Sequence, residues 1–181
     1  MTEKDKPNFD RCLNNLMGKI IQNGFQFVEY ANSRLIRKIV DIPDLKHELI
    51  SLSETKTHLE LSDYGLRLAE HLLELSRLEK TEIIDSCFQV IKKWQIKEAT
   101  VRDALDVAGH LNDLARVEKD PIKAKALRGL SQISAIPHVR WHALVASEYA
   151  VVIINLKYPN DMDKVREERE FQIKLMKQSL N

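Results

Sequence analysis

Between Ala143 and Leu156 almost every residue is apolar (ALVASEYAVVIINL), and this run limits what the chain can fold into. A helix that is apolar around its whole circumference belongs in a packed core or in a membrane. The run is too short for a membrane, because a spanning helix needs roughly 20 apolar residues. It also carries Glu148 and Asn155. The longer segment that contains it, residues 120–158, is marked at both ends. Asp120-Pro121 is an N-cap residue followed by proline at the first helical position. Lys157-Tyr158-Pro159 puts a cation in the last turn and then a proline that cannot continue the helix. The expected fold is all-α, a single-domain bundle of about seven helices around a buried central helix, residues 120–158. Pro137 interrupts that helix and predicts a kink or two consecutive helices.

The other helices follow from apolar spacing and caps. Phe9, Cys12, Leu13, Leu16, Met17, Ile20 and Ile21 predict an amphipathic helix from about Asn8 to Asn23-Gly24. Residues 25–40 fit a helix through Val28, Ala31, Leu35 and Ile39; Phe25 and Phe27 also suit a strand, but no second strand signal lies nearby, which favours helix. Asp44 is placed to cap a short helix carrying Leu45, Leu49 and Leu52, and residues 53–61 read as a linker. Ser62, Thr81 and Thr100 each precede a helical pattern as candidate N-caps. A last helix, from about Asp161 to Ser179, is dense in alternating charge. Val165, Phe171, Leu175 and Met176 give it only a broken apolar face, so it is expected to lie solvated on the bundle. The division expected is an N-terminal helical extension over 1–60 packed on a bundle over 61–181.

The formal net charge of +1 excludes a global field toward nucleic acid or an anionic membrane. The charged N-terminus lacks an apolar signal core, which points to a cytoplasmic protein. Cys12 and Cys87 each sit on an apolar helical stripe and form no CxxC, so both are expected as buried, reduced thiols.

The polar residues on apolar faces carry the chemistry. His138 and His142 share one helix face by their spacing, and Glu148 lies further along on an offset face. His71 shares a face with Leu68, Leu75 and Leu78, with Glu70 beside it. Buried ionisable groups need partners. His138, His142 and Glu148 are therefore expected to make hydrogen bonds that fix how the helices pack, and His71 to be a satisfied core histidine. The alternative is a metalloprotein or hydrolase of the kind helical bundles build from inward Glu and His, here Glu70, His71, His138 and His142, with His110 and Glu148 in reserve. Two histidines without a placed third ligand are a weak metal signal, so no cofactor is expected unless that alternative holds, when it would be a transition metal. No Gly-rich phosphate loop, HExxH, GxSxG or zinc-finger spacing occurs.

The segment from about Leu61 to Tyr158 resembles a family of all-helical immunity proteins from bacterial polymorphic toxin systems. The resemblance rests on Ala69-Glu70-His71 in an early helix, the Asp120-Pro121 helix start, and the Gly-containing run ALRGLSQ. It continues through His138-Val139-x-x-His142-Ala143 and Tyr149-Ala150, and some members end in a helix like Arg169-x-Phe171-Gln172. It implies a non-enzymatic, cytoplasmic antitoxin that binds and blocks a cognate toxin domain, and it implies that Glu70, His71, His138 and His142 form a buried polar network that fixes helix register. Charge and hydropathy point to neither nucleic acid nor membrane as a partner.

Overall fold

The computed structural model describes residues 39–179 and the strand Phe27–Val28. The expected helix over 8–23 and Cys12 lie outside the described residues. Within them are a two-stranded antiparallel ladder, β1 (Phe27–Val28) with β2 (Ile39–Val40), and seven helices: α1 (Pro43–Glu54), α2 (His58–Ser76), α3 (Glu82–Gln95), α4 (Val101–Val117), α5 (Pro121–Ser134), α6 (His142–Lys157) and α7 (Met162–Gln178). The all-α bundle is as the hydrophobic patterning predicts. No described helix is long and apolar enough to cross a membrane.

The central segment resolves into two helices. Pro137 cannot donate to a helix ladder and disfavours helical backbone at Ile136, so the chain turns there. α5 and α6 then pack antiparallel. Gly129 lies against Tyr149 near the middle of the pair, and Gln132 meets His142 at the end where the chain turns. The centre of the bundle is this hairpin rather than one long helix. Within it, α6 buries Ala143, Ala146, Ala150, Val151, Ile153 and Ile154 on one broad face, and Leu144, Val145 and Val152 on the other side are half-buried.

Three local expectations are corrected. First, residues 27–28 and 39–40 are extended and paired, Phe27 with Val40 and Val28 with Ile39, so a helix does not run through them. The Asn155 side chain holds β2 extended, accepting from Val40 N–H at 2.8 Å and donating to its C=O at 3.1 Å. Second, α2 starts before Ser62, inside the expected linker. Thr57 and Glu60 form a reciprocal capping box, while Ser62 is buried and accepts from Gln95 Nε2 at 2.8 Å. α2 thus runs through the 60/61 position where the sequence places the end of the N-terminal extension. Third, α1 begins at Pro43 with Ile42 as its N-cap rather than Asp44. Elsewhere Thr100 closes a capping box with Asp103, and Asp120 accepts from Ile122 and Lys123 N–H. Thr81 occupies the N-cap of α3 but makes no side-chain cap bond.

One apolar core runs through α1 to α7, and a smaller one (Ile39, Ile42, Tyr149, Val151, Ile154 and Val165) lies under the segment that enters α1.

Candidate functional site: a buried ion network and the turn before α6

The side of α7 that faces the bundle is not apolar. Val165, Glu168, Arg169, Gln172, Ile173 and Met176 recur at helical spacing and are all buried, so this helix does not lie solvated on the bundle as its charge suggests. Phe171, expected on its inner face, is instead 37 % exposed.

Arg169 is fully buried and stands at the centre of a network. Its guanidinium forks onto Asp41, with Nε donating to Oδ1 at 2.9 Å and Nη2 to Oδ2. Nη2 also donates to Glu148 Oε1 at 2.9 Å, and Nη1 to Gln172 Oε1 at 2.9 Å. Gln172 spends its two N–H groups on Ser147 O at 3.1 Å and Glu168 Oε1 at 2.6 Å. Glu168 Oε2 lies 2.7 Å from His71 Nε2, and the His71 ring packs on Phe171 at 4.2 Å between centroids. Lys46 closes the other side, 3.2 Å from Glu148 and 4.0 Å from Asp41. The network joins the approach to α1 with α1, α2, α6 and α7.

Electrostatics follow from the burial. Burial works against the Glu148 carboxylate, but Arg169 and Lys46 outweigh it and hold Glu148 below the usual carboxylate range. Burial pushes Lys46 down to about 8, although Glu148 opposes the shift. Burial also opposes the Arg169 charge, yet Glu148 and Asp41 raise its pKa further. Breaking such a network by removing one member strands a buried charge. Below it, the Tyr64 hydroxyl and Ser147 Oγ lie 2.7 Å apart, and Ser147 donates to Ala143 O at 3.0 Å.

The second polar cluster surrounds the α5–α6 turn. His142 is half-buried, and its Nδ1–H donates to Gln132 Oε1 at 2.7 Å. Trp141 stacks on it at 4.5 Å. His138 is exposed, with its ring centroid 6.5 Å from that of His142. Burial, together with the His138 charge, pushes His142 down to about 4. Arg140 reaches back and donates to Ser53 O and Lys56 O, both at 2.7 Å, satisfying carbonyls at the end of α1. His58 Nε2–H donates to Ile136 O at 2.6 Å, and its ring packs on Trp94 at 4.9 Å.

The candidate residues therefore fall into three places. His71 and Glu148 enter the ion network. His138 and His142 sit at the turn before α6. Glu70 and His110 are exposed: Glu70 pairs with Lys80 at 3.4 Å, and His110 lines a surface hollow with Ile83, Asp113, Leu114 and Val117. His71 has Glu168 as its partner, not Glu70. Among the described residues, no three His, Cys, Asp or Glu side chains stand together where they could hold a metal ion. Sequence reasoning missed Asp41, Lys46 and Glu168 as network members, and it met Arg169 and Gln172 only in the resemblance. The available signal was the helical stripe of α7, whose members at the spacing of a buried face are polar.

No curated protein and no solved structure matches the chain. A family model does match, over residues 51–179, from within α1 to the end of α7. Its description is "Imm-5 like putative immunity protein". That match spans well over half of the sequence, and the chain belongs to this family of immunity-type proteins.

Proposed function

We propose that this protein is an immunity protein that binds a cognate bacterial toxin domain and neutralises it without chemistry of its own. The observation that carries the reading is the family match, which takes in six of the seven described helices whole and the end of α1. The geometry is in keeping with it. An inhibitor needs a rigid scaffold and a specific surface, because affinity rests on a few anchors held in place. Here a buried ion network and an interlocked turn hold the helices in register. The proposal places the protein in the cytoplasm, bound to a toxin domain encoded nearby and without a cofactor.

The test is a rescue experiment. The C-terminal domain encoded by the reading frame immediately upstream is expressed alone and together with this chain. Growth arrest by the domain, relieved by co-expression, is the expected result. Arrest that co-expression leaves unrelieved, or a neighbour that causes no arrest, would overturn the proposal.

A further inference from the structure

One end of the bundle gathers apolar side chains that the fold leaves largely exposed. Leu59, in the first turn of α2, is 49 % exposed, Ile96, just beyond α3, is 64 % exposed, and Trp141, just before α6, is 38 % exposed. The contacts beneath place them at the same end. His58, beside Leu59, bonds Ile136 O and packs on Trp94. Arg140, beside Trp141, clips the end of α1 next to the start of α2. Each anchor therefore projects from a tethered backbone. Little ordering would be needed to bury them, which is the property that favours tight binding.

The charge at this end leans one way. Lys92, Lys93 and Lys97 are exposed, and among the described residues none of them has an ion-pair partner. The exposed acids nearby are Glu54 and Glu98, while Glu60 and Asp103 are occupied in helix caps and Glu48 by Lys177. An aromatic and aliphatic centre beside unpaired cations is complementary to a protein face with acidic residues around an apolar patch. Three separate side chains on three helix ends do not form the continuous amphipathic face that a membrane surface requires.

We propose that this end, with Leu59, Ile96 and Trp141 as anchors and Lys92, Lys93 and Lys97 at the rim, seats the toxin through an acidic face of that partner. The proposal rests on the immunity reading above and adds the place and the charge of contact.

The experiment uses the full chain and the purified toxin domain from the upstream frame, with binding kinetics and rescue measured side by side. Trp141→Ala and Ile96→Asp should each weaken binding by about 30-fold or more, mainly through faster dissociation. Ile96 lies outside the helices and is well exposed, so it tests the surface even where loss of the Trp141 stack disturbs the turn. The double variant Lys92→Glu with Lys93→Glu should slow association by about tenfold at low salt, a difference that shrinks on raising the salt to about 0.5 M. Val117→Asp, at the opposite end of the bundle, should bind as the wild type does. Wild-type protein that rescues growth while all end variants bind unchanged would overturn the surface and leave the immunity reading standing. Wild-type protein that fails to rescue would overturn both. Faster association of the double variant would show a basic partner face and overturn the charge assignment. Unchanged toxin binding with Trp141-dependent binding to phosphatidylserine vesicles would make this end a membrane surface instead.

Discussion

Arg169 and Asp41 stand 128 positions apart in the chain and meet as a forked, fully buried ion pair. Asp41 precedes α1 and Arg169 sits midway along α7, so this contact ties the entry of the bundle to its last helix. Glu148 from α6 shares the same guanidinium.

Removing that guanidinium should be severe. Arg169→Met leaves Asp41 and Glu148 buried without their main partner and is expected to destabilise folding by about 3–5 kcal/mol. Adding Asp41→Asn should recover at least ~1 kcal/mol, since paired groups in one network couple. Urea unfolding of the two single variants and the double variant measures both. A loss below about 1 kcal/mol for Arg169→Met would contradict a tight, dry network.

The α5–α6 turn predicts an acid-side dependence of stability. His142 titrates near 4 in the folded protein against 6.5 for the unconstrained side chain. Between those values the unfolded chain holds a proton that the folded one does not, so stability falls as pH drops through this window. Below it the loss is complete, at about 1–2 kcal/mol once solvent screening of this half-buried ring is allowed for. His142→Gln should remove this part of the slope. Chemical unfolding of wild type and variant at intervals from pH 7 to pH 4 isolates the contribution as a difference, and parallel profiles would refute it.

Two helical glycines should respond with opposite signs. A Cβ on Gly129 would come within 2.7 Å of Leu72 Cδ1 and 3.4 Å of Tyr149 Cβ, where α5 crosses its neighbours. Gly129→Ala is expected to lose about 1–3 kcal/mol by overpacking. A Cβ on Gly109, exposed on α4, would meet nothing within 4 Å. Gly109→Ala should therefore gain about 0.5–1 kcal/mol from helix propensity. Thermal or urea unfolding gives both signs.

Cys87 should be inert while the protein is folded. It is fully buried with its Sγ 3.6 Å from Leu130 O, and burial pushes the thiol up to about 12. A chromogenic thiol reagent at pH 8, used on the Cys12→Ser variant, should react only as fast as the protein opens and at once in denaturant. Rapid labelling under native conditions would show that this part of the core is accessible.

Sequence by itself determined the helices, because periodicity and caps are local. The Thr100 and Asp120 starts, the stop at Lys157-Tyr158-Pro159 and the apolar circumference of α6 needed no tertiary information. Thr57-x-x-Glu60 was equally local and legible, yet the polar stretch around it resembled a linker. Only the tertiary structure decided which polar side chains meet. Glu70 and His71 are adjacent in sequence, but they leave the α2 axis about 100° apart, so one reaches solvent and the other Glu168. The charge on α7 reads as solvent exposure until Asp41 and Lys46, from the other end of the described chain, join Glu148 of the preceding helix around Arg169. A buried charge is stable only with partners, and partners more than a hundred residues away leave no periodic trace.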